Sequence, residues 1–409
     1  MIDESKKTSK TLLNELLDKH YAGALEAKAA GRPVVWATSI CPQELLETMG
    51  LTTVYPENHA AAIGARKCAS EFIQESEGKG YSADICSYAR VNIGYAEIKE
   101  TTAGNIPMPD LLFCCSNICN TAIKWYENLS ATLDIPLIMF DMPFNHTVDI
   151  PAHSIAYMRG QIEHAIAQLE AFTGKEFDHD KFGEVMEISN QTCEWWKKAT
   201  DLAKAHPSPL NGFDMFNYMA IIVCMRGNKD GRDVFHLWHD ELKEKIANGL
   251  GPWKEGEEKY RIMWDGIACW PHLSATYKAL KNNGVNMVTS TYPESWNVRY
   301  EKNDLDGMAR AYSANYANRN LDYGTGNVIK LVEDFDLEGI VFHLNRSCKL
   351  MDFRQFEVQR RVENATGIPS VIFDGDQTDP RIFSEGQYET RIQALIEMME
   401  QRKQSRRAG

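Results

Sequence analysis

The stretches DLLFCCSNIC (residues 110–119) and EGIVFHLNRSC (residues 338–348) share one design, although they lie in opposite halves of the 409-residue chain. Each is an apolar run that reaches an Asn and then a Cys. An apolar run of this length, without alternating polar residues, is typical of a strand that is buried on both faces of a parallel sheet. We therefore predict that Cys119 and Cys348 each follow a buried strand, where it gives way to a loop or a helix.

Similar runs recur along the chain and form two sets of four. The sets are PVVWATS (33–39), TTVYPEN (52–58), DLLFCCSN (110–117) and IPLIMFD (135–141), then YRIMWDG (260–266), NMVTSTYPES (286–295), EGIVFHLN (338–345) and IPSVIFD (368–374). They match in order: Trp36 corresponds to Trp264, and Asn117 corresponds to Asn345, each at a separation of 228 residues. We predict an α/β fold with two pseudo-repeated flavodoxin-like lobes, each built on a four-stranded parallel sheet.

The segment between the two sets has helical periodicity. We predict an N-terminal helical segment (1–30), a first α/β lobe (31–150), a mostly helical segment (151–255) and a second α/β lobe with a C-terminal helix (256–409). Ligands of open α/β sheets bind at the carboxyl ends of the strands. Two lobes that face each other would bring both sets of strand ends to one interlobe cleft.

Composition excludes several functional classes. The chain has 57 acidic and 44 basic residues, a net charge of −13 and no basic block, which argues against nucleic acid as a partner. The first thirty residues are charged throughout, and no apolar run approaches the length of a membrane span. We expect a cytoplasmic protein that has no membrane partner. We also expect that its ten cysteines are not disulfide-bonded.

Three cysteines are candidate metal ligands. Cys86, in YSADICSYAR, is expected at a strand end like Cys119 and Cys348, and the interlobe cleft would bring all three together. Three soft thiolates suit an iron–sulfur cluster or zinc, and a set of three leaves one coordination position open. Structural zinc usually has four close-set ligands, and the chain has no CxxC pair. A nucleophilic Cys would need a positioned His, but the nearby His343 falls inside a strand run.

Polar residues at other strand ends are candidates for catalysis. Ser39 and Glu57 follow adjacent strands of the first lobe, and Glu57 would be a general base if burial raised its pKa. The alternative is that Glu57 only caps the following helix. His236 and His239 lie on a polar helix, which we interpret as a solvated face. The acidic residues Asp374, Asp376 and Asp379 of DGDQTDPR (374–381) have no Gly-rich phosphate loop beside them, so turn and capping roles, or an interface, fit them best.

Longer motifs give the chain a resemblance to a known family. They are YPENHAAAIGARK, CSYARVN, CCSNICNTAIKWYENL, SPLNGFDMFNYMA, HLNRSCKL and FDGDQTDPRIFSEGQYETRIQAL. From about residue 30 to 400 the chain resembles the 2-hydroxyacyl-CoA dehydratase family, and specifically the larger, substrate-activating subunit of the heterodimeric dehydratase component. The resemblance implies that Cys86, Cys119 and Cys348 ligate one [4Fe–4S] cluster whose fourth iron carries water or hydroxide. It also implies that Ser39 and Glu57 are active-site residues.

The resemblance further implies a hydro-lyase reaction, in which (R)-2-hydroxyacyl-CoA becomes (E)-2-enoyl-CoA and water. A thioester does not acidify the β-hydrogen, so the family adds one electron to the carbonyl. The resulting ketyl radical anion expels the α-hydroxyl, and the β-hydrogen becomes acidic. Implied partners are a smaller paralogous subunit, a transient ATP-dependent iron–sulfur activator and an acyl-CoA substrate, with a slight preference for a lactoyl-like acyl group. Two alternatives stay open: a subunit of an acyl-CoA reductase similar to benzoyl-CoA reductase, and a non-catalytic electron-transfer subunit.

Overall fold

Two four-stranded sheets organise the computed structural model, which describes residues 7–408. The first sheet contains β1 (Val34–Ala37), β2 (Thr52–Val54), β3 (Leu111–Cys115) and β4 (Leu137–Phe140), in the order β2-β1-β3-β4. The second contains β5 (Tyr260–Asp265), β6 (Val285–Ser290), β7 (Gly339–Asn345) and β8 (Ser370–Gly375), in the order β6-β5-β7-β8. Both sheets are entirely parallel. The same strand order in both sheets confirms the predicted α/β fold with two flavodoxin-like lobes.

Helices surround both sheets. Within the described residues they are α1 (Ser9–Ala29), α2 (Gln43–Thr48), α3 (Pro56–Ala65), α4 (Ala69–Gly78), α5 (Ser87–Ile98), α6 (Asn120–Leu133), α7 (Ala152–Thr173), α8 (His179–Asp201), α9 (Gly212–Cys224), α10 (Lys229–Ala247), α11 (Leu273–Lys281), α12 (Thr291–Glu294), α13 (Leu305–Ser313), α14 (Leu321–Asp334), α15 (Lys349–Thr366) and α16 (Glu385–Ala408). Helices α7 to α10 lie between the two sheets in sequence. No helix in this part of the chain is long and apolar enough to cross a membrane.

The central strands are buried because their apolar side chains are covered on both faces. Every residue of β3 is buried, and so are all residues of β7 except Leu344. His343 lies inside β7 and is fully buried, with Nδ1 hydrogen-bonded to the carbonyl oxygen of Ile267, as its place in the strand run indicates. Such continuous burial is what the unbroken apolar runs predict. The carboxyl ends of β3 and β7 therefore fix the chain rigidly just before two of the candidate cysteines.

A close contact between two helices fixes the position of the third candidate cysteine, Cys86. Gly94 in α5 lies directly against α4, where a Cβ atom would come within 2.0 Å of the carbonyl oxygen of Phe72. Only glycine permits this approach. Helix α5, which begins directly after Cys86, is thereby held against α4.

Candidate functional site

One cavity of about 100 Å³ lies between the two lobes, and the three candidate cysteines line it. Cys86 and Cys119 come from the first lobe, and Cys348 comes from the second. Ser39 and Glu57 line the same cavity. The structure thus brings together all five residues that the sequence singled out. The predicted setting of Cys86 is wrong in one respect: no described strand leads into it, because it lies in the turn between α4 and α5.

Each cysteine is the N-cap residue of a helix. Cys86 precedes α5, Cys119 precedes α6 and Cys348 precedes α15. The partial positive charge at a helix N-terminus favours a thiolate over a thiol. Backbone N–H groups in the first turn of the following helix, such as those of Ala89 and Met351, act to lower the pKa of Cys86 and Cys348, as expected for a sulfur at a helix N-terminus.

The three thiols are also electrostatically coupled. Burial, together with the neighbouring Cys119, raises the pKa of Cys86 to about 12. Burial and both neighbouring thiols raise the pKa of Cys348 well above its usual value. Buried thiolates that raise one another's pKa are unfavourable unless a cation compensates them. The donor set therefore fits a cationic metal centre held by three sulfurs, as an iron–sulfur cluster would be.

No group of three or more His, Cys, Asp or Glu side chains within residues 7–408 is arranged to hold a metal ion as it stands. A four-iron cluster is larger than one ion, so its thiolate ligands stand further apart than those of a single ion. His236 and His239 do not form a metal face either. His236 is half-exposed and stacks on the ring of Trp195, in agreement with a solvated helix face, whereas His239 is mostly buried beside the same ring and contacts Asp240.

A loop of the second lobe contacts the first cysteine directly. Gln377 Nε2 donates a hydrogen bond to Cys86 Sγ over 3.1 Å. The loop is shaped by Asp376, whose carboxylate accepts hydrogen bonds from the backbone N–H groups of Thr378 and Asp379. The predicted turn and capping role of this acidic segment is therefore confirmed for Asp376, and the turn is what presents Gln377 to the sulfur.

A buried ion pair joins the same loop to the first lobe. Arg90 in α5 donates to Asp379 over 3.1 Å, and both side chains are only 1% exposed. Arg90 also donates to Glu77 over 2.7 Å, and Arg381 donates to both Glu77 and Asp379. These four residues link the two lobes beside the cavity and so hold the loop that carries Gln377 in a fixed position relative to Cys86.

Ser39 and Glu57 form a hydrogen-bonded pair in the cavity wall, where Ser39 follows β1 and Glu57 follows β2. The backbone N–H and the Oγ–H of Ser39 both donate to Glu57 Oε1, over 3.1 and 3.2 Å. The second oxygen, Glu57 Oε2, is buried and has no hydrogen-bond partner among the described residues. Burial raises the pKa of Glu57 to about 7, although the two bonds from Ser39 act in the opposite direction. Glu57 also lies in the first turn of α3, so the capping interpretation describes part of its setting.

A second cavity of about 290 Å³ adjoins the first. Ser39, Glu57, Tyr292 and Trp296 line both cavities, so this group forms the junction. Trp296 Nε1 donates to the carbonyl oxygen of Ser39 over 2.8 Å and so fixes the loop after β1. Sequence reasoning missed Tyr292 and Trp296 as site residues. The repeated Tyr-Pro-Glu motif at 55–57 and 292–294 was the signal that would have marked Tyr292.

Comparison with known proteins identifies the family. The family model described as 2-hydroxyglutaryl-CoA dehydratase, D-component, matches residues 38–399. The chain belongs to this dehydratase family. Among its relatives is the (R)-2-hydroxyisocaproyl-CoA dehydratase alpha subunit of Clostridioides difficile, which is 49% identical over 403 residues and 98% of both chains.

Two further relatives of the dehydratase family are almost as similar. The lactoyl-CoA dehydratase alpha subunit of Anaerotignum propionicum is 45% identical over 96% of both chains. The (R)-phenyllactyl-CoA dehydratase alpha subunit of Clostridium sporogenes is 44% identical over 98% of this chain and 97% of its own. A benzoyl-CoA reductase subunit of Thauera aromatica is more distant, at 26% identity over 97% of this chain. These comparisons confirm the predicted family, the larger-subunit type and the hydro-lyase reaction class.

Proposed function

We propose that the chain is the substrate-activating subunit of an (R)-2-hydroxyacyl-CoA dehydratase and that the interlobe cavity is its active site. One observation carries this proposal: a single cavity contains three capping thiols and a Ser39–Glu57 pair with a free carboxylate oxygen. Family membership supports the reaction class. The cavity supports its location, because it holds both a metal donor set and an acid–base group.

Cys86, Cys119 and Cys348 would hold a [4Fe–4S] cluster in which the protein ligates three of the four irons. When bound, this cluster supplies a Lewis-acidic iron with an open coordination position beside the substrate thioester. The three residues come from both lobes, and Gln377 donates to one of the sulfurs. Hydrogen bonds to ligand sulfur tune the reduction potential of such clusters.

Glu57 is proposed to move the β-proton. Loss of the α-hydroxyl follows addition of one electron to the thioester carbonyl, and it leaves a radical whose β-hydrogen is acidic. A carboxylate with a pKa near 7 is matched to proton transfer at neutral pH. Its Oε2 has no partner within residues 7–408 and is therefore free to meet the substrate proton. The alternative role for the same oxygen is protonation of the departing hydroxyl.

Ser39 is proposed to orient Glu57 and to stabilise charge on the thioester oxygen. Its backbone N–H bond to Glu57 Oε1 remains when the hydroxyl turns towards the substrate. A hydroxyl donor at the developing negative charge contributes more in a water-poor cavity than it would in solvent. Trp296 holds the Ser39 backbone in place for this purpose.

The two cavities suggest how acyl-CoA lies in the site. The inner cavity is lined by apolar side chains including Ile118, Trp125, Ile267, Leu350 and Met351, and no described Lys, Arg or His lines it. We propose that it takes an apolar acyl group, because a second carboxylate on the substrate would find no cation there. The outer cavity, which carries polar residues and one arginine at its wall, would take the pantetheine arm.

The proposed assembly includes a smaller paralogous subunit and a separate ATP-dependent one-electron donor. The relatives are named as alpha subunits, which supports a second, different chain. Of the two alternatives, two-electron reduction of the acyl-CoA has the weaker support, because the reductase relative is only 26% identical. A purely electron-transferring subunit would not need the cavity or the free oxygen of Glu57.

An anaerobic assay tests the proposal. The chain is combined with the smaller subunit, the activator and ATP, and is offered lactoyl-, 2-hydroxyisocaproyl-, phenyllactyl- and 2-hydroxyglutaryl-CoA. We expect water loss and the (E)-2-enoyl-CoA product from one or more of the first three thioesters, and little from the last. Net reduction of the acyl group, or no turnover of any apolar thioester, would contradict the proposal.

A further inference from the structure

The outer face of α15 carries two exposed phenylalanines. Phe353 is 88% exposed and Phe356 is 58% exposed, and they lie between Lys349 and Arg360. The spacing of these four residues along the helix is four, three and four, which places them on one face. We call this row the α15 stripe. A solvent-exposed helix face ordinarily carries polar side chains, so the stripe requires an explanation.

The internal repeat supplies a comparison within the same chain. Helix α6 is the counterpart of α15, since each follows the third strand of its lobe and begins after a capping cysteine. The fifth and eighth residues after the cysteine are Lys124 and Glu127 in α6, where α15 has Phe353 and Phe356. Lys124 and Glu127 form an exposed ion pair of 2.6 Å. The fold therefore does not require phenylalanine at these positions.

The stripe continues into an open groove of about 1080 Å³. The groove is lined by Phe356 of α15, by Ile372 of β8 and by Met398 of α16. Among the described strands β8 pairs only with β7, so its other edge faces this groove. A groove that has apolar side chains among polar ones, beside an unpaired strand edge, is a typical site of association with another chain.

We propose that the α15 stripe and this groove form the surface on which the second, non-identical subunit of the enzyme docks permanently. The proposal rests on the proposed function, which requires such a subunit. The relatives that cover nearly the whole chain are named as alpha subunits, so they also belong to assemblies with a different chain. The stripe and groove are the part of this chain that we assign to that contact.

The contact area distinguishes a permanent partner from a transient one. With 88% and 58% of their side chains exposed, Phe353 and Phe356 together offer about 220 to 365 Å² for burial. A stable interface needs about 800 Å² from each partner, and transient redox contacts need less. The α15 stripe alone is therefore smaller than a stable interface, and the adjoining groove, with Ile372, Met398 and the β8 edge, would have to supply the remaining contact area.

The charged residues around the α15 stripe indicate which charges the partner surface should carry. Arg346 and Lys349 at one end of the stripe, and Arg391 across the groove, are exposed and form no ion pair with any described residue. Asp374 is the exposed carboxylate among the groove residues. Arg360 is already paired with Glu357 over 2.7 Å. Asp352 beside Lys349 and the exposed Glu385 partly offset these cations, so the surface fits a partner face with apolar side chains and with carboxylates opposite Arg346 and Arg391.

The test measures binding of the full-length chain to the smaller subunit, anaerobically and without acyl-CoA. Wild type is compared with Phe353→Asp, Phe356→Asp and Phe353→Ala, and Lys124→Asp is the control at the equivalent position of α6. We expect a one-to-one complex for wild type and the control, and a Kd that is at least about 30-fold weaker for the two Asp variants. Hydrogen exchange should also show protection of α15 on binding, a readout that a folding defect does not mimic.

Three results would overturn the proposal. The first is that the Asp variants bind the smaller subunit as tightly as wild type does. The second is that the isolated chain forms a homodimer that Phe353→Asp abolishes. The third is that the Asp variants lose binding of the electron-donating activator but still bind the smaller subunit. Failure of the proposed function is a separate result. A complex that forms through α15 but does not dehydrate any thioester would leave this inference standing.

Discussion

Replacing Glu57 by Gln tests the acid–base assignment most directly. The change keeps the size of the side chain and leaves an oxygen that Ser39 N–H and Oγ–H reach over 3.1 and 3.2 Å. It removes the carboxylate whose Oε2 has no partner among the described residues. Proton transfer by a positioned side chain contributes about 10²- to 10⁴-fold to rate. We therefore expect turnover of the assembled enzyme to fall by that factor, with normal iron content.

The pH profile tells which way Glu57 moves the proton. Burial raises its pKa to about 7, so the carboxylate is protonated below that pH. If Glu57 takes the β-proton, turnover of wild type falls about tenfold per unit below pH 7 and levels off above it. If it protonates the departing hydroxyl, turnover falls above pH 7 instead. In either case the Glu57→Gln variant should lose this limb of the profile.

The same pKa predicts a stability effect that does not depend on turnover. A carboxyl group whose pKa is raised from 4.5 to about 7 on folding stabilises the folded state below pH 4.5 relative to higher pH. This contribution is lost as pH rises from 4.5 to 7, and the loss is at most about 3 kcal/mol. Glu57→Gln should therefore be more stable than wild type at pH 8 and equal to it near pH 4.

Enoyl-CoA formation is followed anaerobically between pH 5.5 and 8.5 with excess activator and ATP. Glu294→Gln is the matched control, since Glu294 is the counterpart of Glu57 in the second Tyr-Pro-Glu motif and lines neither cavity. Chemical denaturation at pH 4 and pH 8 gives the stability difference. Turnover of Glu57→Gln within twofold of wild type, with an unchanged pH profile, would refute the assignment.

The other predictions concern the metal and the contacts between the lobes. Cys348→Ser should lose the visible absorption of an iron–sulfur cluster and most of its iron. The control is Cys269→Ser, which changes a buried cysteine outside the cavity and should keep both the absorption and the iron. Equal iron content in the two variants would exclude ligation by Cys348. Arg90→Met should lower the free energy of unfolding by about 1.5 to 3 kcal/mol, because the buried Asp379 carboxylate loses one charge-assisted hydrogen bond but keeps Arg381 as a partner, and urea denaturation measures the loss. Gln377→Leu removes a donor to ligand sulfur and should shift the cluster potential to more negative values in an anaerobic redox titration; an unchanged potential would show that the 3.1 Å contact has no electrostatic effect on the cluster.

Sequence patterns predicted the sheets and the meeting of Cys119 with Cys348 for the same reason, whereas Cys86 reaches the cavity from a turn between two helices. Unbroken apolar runs such as that of β7 identify buried parallel strands, and parallel strands end at one edge of their sheet. Contacts between elements that are distant in sequence were beyond such patterns. Gln377 and Cys86 are 291 residues apart, and the bond between them depends on how the lobes face each other. Phe353 and Phe356 have the spacing of a buried helix face, and only the structure reveals that they are exposed.

The three thiols belong to two separately built halves of the molecule, and Cys119 and Cys348 are 229 positions apart in the chain. Metal bound to all three would act as a cross-link that closes a very long loop of chain and restricts the unfolded state. Loss of the iron on exposure to oxygen would then remove a cross-link between the two lobes as well as the reactive centre. Oxidative inactivation of this enzyme should therefore be accompanied by a sharp rise in its susceptibility to proteases.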